Sequence, residues 1–174
     1  MTATALTPIE IVRLLRASTN ALAAEAWALG PHATIRPAEG EWCATEVLGH
    51  LIEADRRGFA GRIRTVLAED RPTFVKWDQP GVARERRDNE RDPSDLIQEF
   101  MTARGTDLAF MAEIDPALLR RVGIHPKVGE LSVNDLLHEW VHHDREHLAQ
   151  MLAVSQVLVR PFMGNTRKFS EPAA

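Results

Sequence analysis

A chain of 174 residues with 44% hydrophobic and 26% charged side chains suits one domain with a buried core and is too apolar for intrinsic disorder. Its formal charge of −4 argues against a nucleic-acid surface, which needs a concentrated excess of Lys and Arg; the basic run RERRDNER is interleaved with acids and reads as a solvated segment. No apolar run nears the roughly 18 residues of a membrane span, MTATALTPIE lacks the basic and apolar blocks of a secretory signal, and the single cysteine, Cys43, can form no internal disulfide, so a cytoplasmic protein is expected.

The first element is expected to open at TPIE. Thr7 caps it, Pro8 takes the first helical position and Glu10 completes a capping box; Ile11, Leu14, Leu15, Leu22 and Leu29 then carry a helix to the Gly30-Pro31 stop. A second helix is predicted from Trp42 to Asp70, ended by Arg71-Pro72. The connection RPTFVKWDQPGVARERRDNER is too long for a minimal turn, has room for a short helix after Pro80, and is of a length that often borders a site. The third helix starts at Asp92-Pro93 and places Leu96, Ile97, Phe100, Met101, Leu108 and Met111 at helical spacing. The fourth opens at Ser132, with Asp135 three residues on, and runs to about Val159. No stretch alternates with period two for long enough to require a strand. The expected fold is therefore all-α, a four-helix bundle over residues 1–160, followed by a C-terminal tail, 161–174, that frays or packs on a partner.

The stretch LHEWVHHDREHLAQM holds four of the seven histidines, at 138, 142, 143 and 147. Each helical residue advances about 100°, and with Leu136 at zero the apolar Val133, Leu137, Trp140, Val141, Leu148, Met151 and Leu158 cover roughly 40° to 140°. His147 then falls near about 20° and His143 near about −20°, on the rim of the buried face, while His138 and His142 lie on the far side and are expected in solvent. Neutral imidazoles at i and i+4 can chelate one divalent metal, although His143-Asp-Arg-Glu-His147 lacks the Glu that metalloproteases carry after the first His. His50 occupies a similar rim position beside Val47, Leu48, Leu51, Ala54, Phe59 and Val66 on the second helix, and a bundle can bring such rims together. His50, His143 and His147 are thus either a metal triad or three unrelated rim residues bonded to backbone. The wheels also place Asp144 and Arg104 at the centres of apolar faces, with Asp55 and Arg62 in the stripe of the second helix. Buried charges pair. These four form either a structural ion-pair network or a polar pocket floor, in which Asp144 or Asp55 orients an imidazole and Arg104 or Arg62 holds an anionic substrate group.

PAEGEWCATEVLGHLIEAD, DPSDLIQEFMTARGTDLAFMAEI and LSVNDLLHEWVHHDREHLAQM together resemble the DinB-like, or YfiT-like, superfamily of four-helix bundles, over most of the chain to about residue 158. Its marks are present as Trp42, Glu46, His50, His143 and His147. The resemblance implies that the three histidines bind a divalent metal, commonly zinc or nickel, with open positions for water or substrate. Cys43 stands where the family often has a Ser or Thr cap, and reads as a small buried residue rather than a ligand. Characterised relatives use bacillithiol or mycothiol, which implies a metal-dependent thiol S-transferase with a low-molecular-weight thiol as co-substrate and an electrophilic small molecule as substrate. Two alternatives stay open. One is metal-dependent hydrolysis, with Glu46 and Glu139, one turn before His50 and His143, as general-base candidates. The other is a non-catalytic homodimeric module with a structural metal, for which Phe74, Val75 and Trp77 offer apolar surface.

Overall fold

The helices begin where the caps are. The Glu10 carboxylate accepts from the Thr7 N–H (2.8 Å), Asp92 accepts from Ser94 N–H (2.8 Å), and Ser132 and Asp135 bond each other reciprocally (2.8 and 3.0 Å). In the computed structural model, which describes residues 5–170, these caps start α1 (Pro8–Leu29), α5 (Pro93–Ala112) and α6 (Val133–Val159). Residues 1–4 of the expected domain and 171–174 of the expected tail lie outside the described residues. The described part of the tail forms short 3-10 turns and leaves Phe162 and Phe169 exposed.

The predicted second helix is broken into α2 (Ala44–Arg57) and α3 (Ala60–Ala68). Gly58 and Phe59 both donate to the Ala54 carbonyl, at 2.7 and 2.9 Å, and the second bond spans five residues, as in a π-type bulge. A Cβ on Gly61 would lie 1.9 Å from the Arg56 carbonyl oxygen, so only glycine allows this close approach. The short helix expected after Pro80 is α4 (Gln79–Arg86).

A second departure is an antiparallel hairpin, β1 (Val122–His125) and β2 (Gly129–Ser132), paired from Val122↔Ser132 to His125↔Gly129. Strands of four residues are too short to display a readable alternation. Residues 72–74 join the hairpin from outside: Phe74 N–H donates to Ile124 O, and Ile124 N–H to Pro72 O, both at 2.8 Å. The class remains all-α, a four-helix bundle whose second helical arm is α2 plus α3.

Around the bundle, α1 packs along α5 and α6, and α2 packs along the same two helices while touching α1 only lightly. The first and second arms therefore face each other diagonally, as do the third and fourth, while the second and third are neighbours. The core falls into two clusters, one of which contains Leu15, Phe59, Ile63, Leu108, Leu136 and Trp140 and the other Leu22, Leu48, Leu51, Phe100, Met151 and Val154. Each arm carries a buried polar residue near the junction of the two clusters: Thr19 on α1, Asp55 on α2, Arg104 on α5 and Asp144 on α6. Arg104 donates to Asp55 (2.8 and 3.2 Å), to Asp144 (2.6 and 3.0 Å) and to Thr19 (3.4 Å), so one guanidinium ties all four arms together. No helix among the described residues is long and apolar enough to cross a membrane.

Candidate metal centre

The two neighbouring arms α2 and α6 run antiparallel and bring His50 beside His143 and His147 at the level of this polar layer. The Nε2 atoms of His50 and His147 each lie 3.2 Å from His143 Nε2, and all three ligand atoms are within 4.8 Å of one another. Two nitrogens held tetrahedrally about 2.0–2.1 Å from one zinc are about 3.3 Å apart, so the two pairs that include His143 have the spacing of ligands to a shared divalent ion. His147 Nδ1 lies 2.8 Å from the acceptor Gln150 Oε1 and so carries the proton, which leaves the Nε2 lone pair free to ligate. His143 Nδ1 is buried without a partner.

Aromatic rings wall the imidazoles. Trp42 stacks on His147 (6.1 Å, 13°) and tilts against His50 (4.8 Å), Trp77 stacks on His50 (6.5 Å), and Phe59, swung inward by the bulge, meets His143 edge-on (5.0 Å). Burial, then the neighbouring His147, pushes the His50 pKa down to about 4. Burial followed by the adjacent imidazoles takes His143 to about 3, and burial also lowers His147 against the pull of Gln150 and Asp144. All three are neutral at pH 7, as ligation requires. The open face is a cavity of about 510 Å³ lined by Trp42, Gln79, Gln150 and the three histidines among others.

These shifts predict an acid-sensitive metal-free protein. At these histidines the unfolded chain, near 6.5, takes up protons before the folded one does, so their contribution to stability is full above about pH 6.5 and falls as the pH drops toward 3, opposed in part by the raised Asp55 carboxyl. The loss between pH 7 and pH 5 is on the order of 2 kcal/mol for each of His50 and His143. Urea unfolding of chelator-treated protein at both pH values checks it, and His143→Ala should show a shallower decline than the parent.

The other sequence-derived candidates are placed differently. Asp55 and Asp144 are both engaged by Arg104, and no imidazole hydrogen-bonds to either. Arg104 is fully buried and cannot reach a substrate. Arg62, expected in the same network, lies apart from it; the bulge turns it away from Asp55 and toward Phe74 (5.2 Å). Glu46 closes the capping box of α2, accepting from Cys43 N–H (3.0 Å) and from two nitrogens of Arg36. Partial burial raises its pKa, but the Arg36 and Cys43 hydrogen bonds outweigh burial and hold the carboxyl below its usual value, which makes Glu46 a weak base. Glu139 is exposed. Cys43 is buried at the N-cap, with its Sγ 3.2 Å from Thr45 Oγ1.

His142 faces solvent as expected, 3.4 Å from Glu146. His138 does not. It is half-buried, with Nδ1 donating to Asn134 O (2.8 Å) and Nε2 accepting from Leu6 N–H (3.1 Å), so it pins the start of α1 to α6. Gln150 was not singled out from the sequence, although its position three residues after His147 is the spacing at which helical side chains meet.

Next to the site, the segment after α4 seats Asp88 against α2. Arg86 and Arg91 hold Asp88 (2.7 and 3.2 Å), and Arg86 also reaches Glu53 and Glu99. A Cβ on Gly49, one residue before His50, would fall 1.7 Å from Asp88 Oδ2. Gly49→Ala should displace this segment at a cost of about 1–3 kcal/mol, the usual range for overpacking. Unfolding midpoints check the figure, and a variant as stable as the parent would show that the segment moves freely.

Comparisons with known proteins agree with this architecture. A family model described as the DinB superfamily matches residues 11–151. Uncharacterized protein YuaE of Bacillus subtilis is 28% identical over 138 residues, 72% of this chain and 84% of its own. Among solved structures, YfiT from Bacillus subtilis is described as a probable metal-dependent hydrolase with an unusual four-helix bundle topology. It matches with a TM-score of 0.79 and 16% identity, over 91% of this chain and 93% of YfiT. The mycothiol-dependent maleylpyruvate isomerase matches with a TM-score of 0.67 and 11% identity, over 84% of this chain and 61% of the isomerase. At these identities the structural likeness is one of fold.

Proposed function

The chain belongs to the DinB superfamily, and from that premise we propose that it is a divalent-metal enzyme, loaded with zinc or nickel, that transfers a low-molecular-weight thiol to an electrophilic small molecule. The observation that carries this reading is the convergence of three neutral imidazole Nε2 atoms beside an open cavity, with no carboxylate in the cluster. A metal held there would lower the pKa of a thiol presented to it and keep the sulfur anionic for attack, so no general base is required from the protein.

The protein residues supply position and dryness. Gln150 fixes the His147 tautomer, Phe59 and Trp42 limit water around the imidazoles, and Trp77 closes the flank of His50. The relative described as mycothiol-dependent supports a thiol co-substrate, and the one described as a probable metal-dependent hydrolase supports the metal. Hydrolysis is the second reading. It rests on Glu46, which lines a small cleft with His50 and would have to leave Arg36 to act as a base.

Zinc- or nickel-loaded protein incubated with bacillithiol, mycothiol, glutathione or coenzyme A and a chlorinated arene should release chloride as the C–S bond forms. If ester or amide cleavage is metal-dependent while no thiol reacts, the hydrolase reading takes the site. If neither occurs and chelation alters only the melting temperature, the centre belongs to a non-catalytic module.

A further inference from the structure

Among the described residues, one half-buried arginine stands without a counter-charge. Among the described residues, every other buried or half-buried arginine holds a carboxylate or a carbonyl: Arg64 binds Asp107, Arg86 and Arg91 bind Asp88, Arg104 binds Asp55, and Arg121 binds the Glu69 carbonyl. Arg62 has neither. Its guanidinium lies 5.2 Å over the Phe74 ring, its Nε is shut off from solvent without a hydrogen-bond partner, and burial lowers its pKa. A partly desolvated guanidinium without a partner costs stability, and folded proteins normally supply one.

The surroundings of Arg62 are cationic as well. A cavity of about 870 Å³ opens between α3, the chain entering α4 and the β1–β2 turn, and Arg62, Lys76, His125 and Lys127 line it. Burial, then Arg62 and Lys127, hold the His125 pKa below its usual value, which places these groups within each other's fields. Asp78 is the one carboxylate in the lining, and it accepts from Gly81 N–H (3.1 Å) as the cap of α4. A local excess of positive charge in a protein of net charge −4 marks a place where charge is focused. A guanidinium fork backed by two ammonium groups matches the oxygens of a carboxylate or phosphate.

We propose that this cavity binds the carboxylate or phosphate group of an anionic small molecule, with Arg62 as the anchor and Lys76 and Lys127 as supporting charge. Its position identifies the molecule further. Trp77 and Gln79 line both this cavity and the cleft on His50, and Gln79 also lines the cavity of the metal centre. A ligand anchored at Arg62 can therefore extend past Trp77 toward the three histidines, which makes it the thiol or the electrophile of that centre. This last step rests on the proposed function; the anion site does not.

The test separates the two. Titration calorimetry of the metal-free, full-length protein in Tris buffer with inorganic phosphate and with malate should give binding by at least one probe, and the tighter probe identifies the group. Arg62→Ala should weaken it tenfold or more, Arg62→Lys should weaken it less, and added chloride should weaken the parent. The melting temperature of Arg62→Ala without ligand should hold or rise, because an uncompensated cation is removed; a structural role would lower it. If the parent binds neither probe, or Arg62→Ala binds as tightly as the parent, the anion site is overturned. In a transferase assay Arg62→Ala should raise KM more than it lowers kcat. An inactive parent that still binds phosphate or malate through Arg62 would overturn the transferase and leave the anion site standing.

Discussion

His143→Ala is expected to abolish stoichiometric metal binding while leaving the chain folded. His143 Nε2 is the apex of the triad, 3.2 Å from both other Nε2 atoms, so its loss leaves His50 and His147 without a common neighbour. Removing a group that only orients a ligand typically costs 10–100-fold in metal affinity, and removing the ligand itself should cost more than about 100-fold. The fold should survive, because the imidazole is half-buried and its Nδ1 has no partner to lose. Two comparisons grade the result. Gln150→Ala frees the His147 ring and should fall in the lower, 10–100-fold range. His142→Ala, next in sequence but exposed, should bind metal like the parent. Metal content after dialysis and competition with a chromogenic chelator measure all three. A His143→Ala protein that retains one metal per chain at parental affinity would remove the triad from consideration.

The legible parts of this protein are those decided within one helix. Caps at Thr7, Asp92 and Ser132 are local chemistry, and the helices start there. The rim position of His143 and His147 follows from helical angle alone, and the pairing of Arg104 with Asp55 and Asp144 follows from the cost of burying any of them unpaired. Failures arise where the chain leaves ideal geometry or where the partner is distant. Arg62 was expected beside Asp55 because its angle was counted continuously along one helix; the extra residue in the Gly58–Phe59 bulge rotates everything after it by about 100°. His138 looked solvated on the wheel of α6, but Leu6, 132 residues away, folds back onto it. The hairpin is four residues per strand and held partly by residues 72–74, so no periodic signal announces it, yet it contributes His125 and Lys127 to the cationic cavity.

Arg104→Met is expected to be the most damaging single substitution in the bundle. It would leave Asp55 and Asp144 facing each other at the crossing of four helices, both essentially without solvent contact, and would take from Thr19 its guanidinium partner. Removing one partner of a buried ion pair costs about 3–5 kcal/mol, a large share of the 5–15 kcal/mol that usually separates folded from unfolded chains. The pH dependence should identify the cause. Burial already pushes the Asp55 carboxyl up to about 7 against the opposing pull of Arg104, and without the guanidinium it would rise further. A carboxyl whose folded pKa lies above its unfolded value of 3.8 contributes stability at low pH that is lost as the pH rises. Arg104→Met should therefore be less destabilised at pH 5 than at pH 8, whereas a cavity or packing defect would show no such trend. Replacing all three charges together with apolar residues of similar volume should recover most of the loss, because it removes the desolvated carboxylates along with their partner. Metal affinity should not recover in step: Asp144 lies between His143 and His147 on α6, and its bonds to Arg104 hold that helix in register with His50. A triple variant that regains stability but binds metal more weakly would show the polar layer to be a positioning device for the histidines; recovery of both would reduce it to a replaceable core contact.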